Sequence, residues 1–127
     1  MARPPAKELT ERELEVMQLF WKQGESTAHQ IRPKLAEAGR DLTYPTVANL
    51  VRLLYDKGFL RRMNDERPFR YCPARSFDEV SGSLLRDLTR RVFGGSREKL
   101  LVRLMEEKKL TPKERAALKK LVKEWGK

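Results

Sequence analysis

Asn49 and Arg52 are the side chains whose type and spacing point most directly to chemistry. An asparagine amide can pair bidentately with adenine, and an arginine fork with guanine. Both lie in a segment where Val47, Leu50, Val51 and Leu54 recur at i, i+3, i+4 and i+7, the stripe of a helix with one buried face. At about 100° per residue, burying that stripe turns Pro45, Ala48, Asn49, Arg52 and Asp56 the other way. Small residues at 45 and 48 let such a face approach a groove floor closely. Thr43 reads as the helix cap. Thr43 and Thr46, with the free N–H groups of the first turn, suit a phosphate, and Tyr44 suits a phosphate or a sugar face. Taken alone, this helix is an ordinary solvated face. A short second helix before it and a basic hairpin after it turn the reading toward DNA, because helix-turn-helix proteins seat their second motif helix in the major groove.

The elements that must position this helix are legible around it. Thr10-Glu11-Arg12-Glu13 is a capping box, with Leu9 and Leu14 placed as a hydrophobic staple. A first helix is expected over about 11–23, with Leu14, Met17 and Trp21 on its buried side, Phe20 beside them, and its end at Gly24. Ser26-Thr27 reads as a very short strand and then a cap. Ile31 and Leu35 mark a second helix ending near Gly39, where Pro33 is expected to bend the helix or displace its start. The third helix closes at Gly58. Residues 59–63 and 69–72 read as strands joined by a turn over 64–67. The hairpin carries Arg61, Arg62, Arg67 and Arg70; at least one of them is expected to pair with Asp65 or Glu66, and Arg67, at the turn, is the candidate DNA contact.

From Ser76 onward the pattern is helical. Phe77, Val80, Leu84, Leu88 and Val92 form a stripe that stops at Gly94-Gly95. Leu100, Leu101, Leu104 and Met105 mark a fifth helix. Thr111-Pro112-Lys113-Glu114 opens a sixth, striped by Leu118, Leu121, Val122 and Trp125. Three short amphipathic helices have little room for a private core. A twin subunit is the expected cover for them, with Leu84, Leu88, Val92, Leu100, Leu101, Leu104, Met105, Leu118, Leu121, Val122 and Trp125 as the candidate dimerisation set; folding back on the N-terminal domain as a monomer is the alternative. The fold class is therefore mainly α with a small β-hairpin: a winged helix-turn-helix followed by a C-terminal helical dimerisation segment. The expected divisions are a flexible arm over 1–8, a DNA-binding domain over 9–74 and a helical dimerisation domain over 75–127.

Composition narrows the function classes. The 127 residues carry a formal net charge of +10, which draws polyanions. Residues 1–72 hold 13 Lys and Arg against 10 Asp and Glu, and residues 73–127 hold 15 against 8. The expected reading head is thus the less basic half, so total charge does not locate the site. One cysteine, Cys72, and one histidine, His29, build neither an intrachain disulfide nor an ordinary metal site within one subunit, and no cofactor is expected. Cys72 reads as a buried or half-buried strand residue and His29 as a surface group. No Ser/His/Asp set, carboxylate pair or glycine-rich phosphate loop points to an enzyme. Met1-Ala2-Arg3-Pro4-Pro5 has no apolar signal run and no stretch nears the ~18 apolar residues of a membrane span, so the expected place is the cytoplasm, without membrane insertion.

In the order and spacing of its motifs the chain resembles the penicillinase-repressor family (BlaI/MecI/CopY type). Leu9 through Met17 with Phe20-Trp21 resembles the family's opening helix. Thr43-Tyr44-Pro45-Thr46-Val47 through Leu54-Tyr55-Asp56-Lys57-Gly58 resembles its recognition helix. Arg70-Tyr71-Cys72-Pro73 resembles the end of its wing, and Phe93-Gly94-Gly95-Ser96 with the Leu100–Met105 helix its dimerisation segment. The resemblance covers about residues 9–125. It implies a homodimeric repressor on an inverted-repeat operator, often of β-lactamase or other resistance genes, relieved in several members when a membrane sensor metalloprotease triggers cleavage in the C-terminal helices. The cleavage bond, commonly Asn-Phe, maps to Arg103-Leu104, a different pair that puts regulated cleavage there in question. An arginine near the end of the recognition helix maps to Leu53, with Arg52 one place earlier, which implies a different operator. The cysteine cluster of the copper-responsive branch is lacking, which sets copper sensing aside. The competing readings are a winged-helix adaptor that binds protein and a sequence-independent nucleic-acid-binding protein.

Overall fold

The computed structural model describes residues 9–107 and 111–125, the latter without the side chains of 118 and 121–125. The expected arm over 1–8 and the side chains of Leu118, Leu121, Val122 and Trp125 lie outside the described residues. The element order is α1 (Glu11–Gln23), β1 (Ser26–Thr27), α2 (Ala28–Glu37), α3 (Tyr44–Asp56), β2 (Leu60–Arg62), β3 (Arg70–Pro73), α4 (Phe77–Val92), α5 (Arg97–Glu106) and α6 (Pro112–Trp125). The fold is a winged helix-turn-helix followed by helices.

Local chemistry sets most helix starts. The Thr10 N–H donates to Glu13 Oε1 at 2.8 Å, and the Glu13 N–H donates to Thr10 Oγ1 at 3.1 Å. Thr27 and Gln30 form the same reciprocal cap on α2, at 2.8 and 3.2 Å. This cap holds the start of α2 at Ala28, so Pro33 sits inside the helix and does not displace its start. What Pro33 removes is the N–H that the His29 carbonyl would otherwise accept. Past α3, Gly58 takes a φ of 85°, and the Phe59 N–H closes on the Leu54 carbonyl at 2.9 Å.

The core corrects the expected stripe of α1. Val16, Met17 and Phe20 are buried, whereas Leu14 and Trp21 are only half-buried. Two long-range contacts cause the rotation. The Glu13 carboxylate turns inward to Lys57, and the Trp21 Nε1–H donates to the Arg75 carbonyl at 3.0 Å, which keeps the indole at the margin with its edge against Phe77. On α3, Val47, Val51 and Leu54 are buried and Leu50 is half-buried. Ile31, Leu35 and Phe59 complete the centre.

The hairpin gains a third strand. The sheet order is β1-β3-β2, all antiparallel, with Ser26 opposite Tyr71, Thr27 opposite Arg70, and Arg62 also opposite Tyr71. The connecting loop is organised by Asn64, whose side chain donates to the Glu66 and Pro68 carbonyls and accepts the Arg70 N–H.

The chain divides into two compact units, one ending at Ser83 and one beginning at Leu84. Val80, in the first turns of α4, is buried in the first. In the second, Ser96 caps α5 through the Lys99 N–H, and Thr111 and Glu114 form a reciprocal cap on α6. No helix among the described residues is long and apolar enough to cross a membrane.

Candidate nucleic-acid interface

The outward face of α3 rests on its inward one. Burial of Val47, Val51 and Leu54 leaves Pro45, Thr46, Asn49 and Arg52 exposed and Ala48 half-buried. The N-terminus of α3 is capped by threonine. No acid stands in its first turn, Thr43 Oγ1 accepts the Thr46 N–H at 3.4 Å, and the two threonine hydroxyls share a hydrogen bond at 3.0 Å. Tyr44 stacks on His29 with ring centroids 4.1 Å apart, tying the start of α3 to the start of α2.

Asn49 and Arg52 hold each other. Arg52 Nη2 donates to Asn49 Oδ1 at 2.9 Å, and Arg52 Nη1 lies 3.5 Å from Asp56 Oδ2. Both side chains remain on the solvent side, able to exchange these partners for groups of a ligand.

Between α3 and the hairpin lies an open cleft of about 760 Å³, with Ala48, Arg52, Tyr55, Arg62, Arg67 and Phe69 among its walls. Arg67 is exposed at the hairpin loop, its guanidinium 5.5 Å from the Phe69 ring centroid. Arg62 is the residue that sequence reasoning undervalued. Its guanidinium sits between Tyr55 of α3, at 5.2 Å, and Phe69, at 4.4 Å. Stacked on aromatic faces, its guanidinium also interacts with the Tyr71 hydroxyl. The signal is non-local: only the register that sets Arg62 opposite Tyr71 brings it under the helix. Behind it Tyr71 is buried, and burial pushes its phenol above the ordinary value. The expected pairing of a hairpin arginine with Asp65 or Glu66 does not occur among the described residues. Arg70 pairs with Glu25 at 3.2 Å instead, because β1 brings the α1–β1 loop beside β3. Cys72, half-buried on β3, donates through its thiol to Met63 Sδ at 3.2 Å.

A profile described as penicillinase repressor matches residues 9–124. The chain belongs to the penicillinase repressor family. It is 34% identical over 93 residues to the transcriptional regulator BlaI of Mycobacterium tuberculosis, a match spanning 72% of this chain and 67% of that protein. It is 24% identical over 115 residues to the methicillin resistance regulatory protein MecI of Staphylococcus aureus, covering 91% of this chain and 93% of that one. A solved structure, the complex structure of hsRosR-SG, shares the fold with a TM-score of 0.57 and 16% identity, over 97% of this chain and 96% of that one.

The C-terminal unit of this family member carries the other candidate set. Leu85, Leu88 and Val92 are exposed along one side of α4, at 48%, 42% and 65%, which is much apolar surface for a folded chain to leave in water. Leu84 and Met105 are half-buried, Leu104 is exposed, and Leu100 and Leu101 are buried. Arg103 and Leu104 lie within α5, where Arg103 pairs with Glu106 and Glu107. Among the described residues no group of three or more His, Cys, Asp or Glu is placed to hold a metal ion.

Proposed function

We propose that this penicillinase-repressor family member is a sequence-specific DNA-binding repressor, acting in the cytoplasm as a homodimer on an inverted-repeat operator. The observation that carries the reading is the exposed Asn49–Arg52 pair on a helix whose opposite face is buried. Asn49 and Arg52 read bases in the major groove. Thr43, Tyr44 and Thr46 seat the helix start against a phosphate, Pro45 and Ala48 permit close approach, and Arg67 with Arg62 holds the flanking strand. In a dimer the two reading helices stand about one DNA turn, roughly 34 Å, apart. The apolar side of α4, with residues of α5 and α6, is the surface that pairs the subunits. The chain has no enzymatic role in this reading. Relief through a membrane sensor metalloprotease pathway acting on the Arg103–Leu104 bond requires α5 to unwind first, since that bond is helical.

The test starts from duplexes enriched out of a random-sequence pool by the wild-type chain. An inverted repeat should emerge. On it, Arg52→Ala should cost about 1–3 kcal/mol, and much less on a shuffled duplex of the same composition. Equal losses on both, read by fluorescence anisotropy, refute base reading by Arg52. Phe69→Ala, by loosening Arg62 and Arg67, should weaken both duplexes alike, by about 1 kcal/mol. A loss confined to the enriched duplex contradicts a phosphate role for this pair of arginines.

A further inference from the structure

We infer that Asp56 is a specificity-determining residue that holds Arg52 back from DNA of the wrong sequence; the inference rests on the reading of α3 as the base-reading helix. Asp56 is the single acid of α3. It is the last residue of the helix, where a carboxylate is unfavourable to the helix dipole. Its oxygen takes one end of the Arg52 guanidinium at 3.5 Å, while Asn49 takes the other at 2.9 Å. The fork that would grip guanine is thus occupied on both sides by partners of its own helix.

Two features make this arrangement a filter and not a block. The Arg52–Asp56 pair is exposed on both sides, 64% and 53%, and exposed pairs of this kind are weak. A guanine offering two acceptors displaces it and frees the Asn49 amide for its own base. A base without that acceptor pair does not. Arg52 then stays neutralised, and the Asp56 carboxylate stays turned toward a polyanion. The contrast with Arg62 and Arg67 is chemical. Those two rest on aromatic rings, and no acid among the described residues pairs with either. Their charge serves any duplex, whereas that of Arg52 is released only by the correct one.

The experiment compares wild type, Asp56→Asn, and Glu37→Gln, which removes one acid away from the α3 face, on the pool-enriched and shuffled duplexes across a salt series. Asp56→Asn should tighten the shuffled duplex about three- to tenfold and steepen its log–log salt dependence by about 0.9, the increment for one further neutralised phosphate. The enriched duplex should change by less than about twofold, so that discrimination falls. Glu37→Gln should leave the ratio of the two affinities unchanged. In an Arg52→Ala background, Asp56→Asn should no longer alter that ratio. Equal tightening on both duplexes, or no change on either, overturns the inference. If wild type enriches no sequence at all, the base-reading assignment itself fails; if it enriches one and Asp56→Asn leaves the ratio intact, only the role of Asp56 fails.

Discussion

Ending the chain after Ser83 should leave a folded monomer that binds the enriched inverted repeat about 10²- to 10⁴-fold more weakly, the range lost when two linked heads become independent. The cut belongs there and not at residue 76. Val80 is buried in the first unit, and Trp21, at the edge of that unit, meets Phe77. A cut at 76 would unroof a core side chain and confuse unfolding with loss of pairing. The unit ending at Ser83 keeps Phe20, Ile31, Leu35, Leu54 and Phe59 fully enclosed, so a cooperative melt should persist. What it loses is the exposed Leu85, Leu88 and Val92 side of α4 with everything beyond. Sedimentation should show a dimer for the full chain and a monomer for the shortened one. Affinity for a shuffled duplex, where one head suffices, should fall far less. Undiminished binding of the inverted repeat by residues 1–83 would sink the pairing role of the C-terminal helices.

Glu13→Ala should destabilise the protein by about 3 kcal/mol, the low end for breaking a buried ion pair because Lys57 keeps some contact with water. In a domain of this size, that loss lowers Tm by roughly 12–24 °C. Glu13 is 1% exposed, receives the Lys57 ammonium at 2.9 Å and the Thr10 N–H at 2.8 Å, and so ties the start of α1 to the C-cap of α3. Glu13→Gln, which keeps the reciprocal cap and loses the charge, should cost distinctly less. The pH dependence has a definite sign. Burial alone raises the Glu13 carboxyl; the Thr10 N–H, the Lys57 ammonium and the Thr10 hydroxyl outweigh it and hold the group below its ordinary 4.5. A carboxyl lowered by folding contributes stability that is fully present above the unfolded value and is lost as pH falls through it toward the folded one. Acid unfolding of wild type should therefore steepen below about pH 4.5, and Glu13→Ala should show a shallower decline there. Parallel stability curves for the two proteins would show that this pair does not govern the acid limb.

Lys57 is also the cap residue of α3. Its tie to Glu13 fixes the end of α3 against α1, while His29 stacked on Tyr44 fixes the beginning against α2. A helix held at both ends presents Asn49 and Arg52 at a defined angle, a condition for direct readout.

What the amino-acid order determined by itself is the local part of this protein. Thr10 with Glu13, Thr43 before Tyr44-Pro45, and the spacing of Val47, Val51 and Leu54 act within one or two helical turns, where geometry is set by the backbone repeat. Those features fix the helix starts and turn Asn49 and Arg52 outward. Even the Arg52–Asp56 pair follows from a separation of four residues. Tertiary structure alone decided the rest, because the partners are far apart in the chain and meet only when elements pack. Glu13 carries the same capping signal whether it is solvated or buried; the arrival of Lys57, 44 residues later, draws it inside and rotates the α1 stripe away from Leu14 and Trp21. Arg62 is one of four hairpin arginines until strand register and the Tyr55 face of α3 select it. Arg70 leaves its neighbouring acids for Glu25 because β1 joins the sheet. Periodicity records which side of an element is apolar, but a polar or aromatic side chain at the margin is placed by whichever distant group satisfies it, and no local repeat encodes that choice.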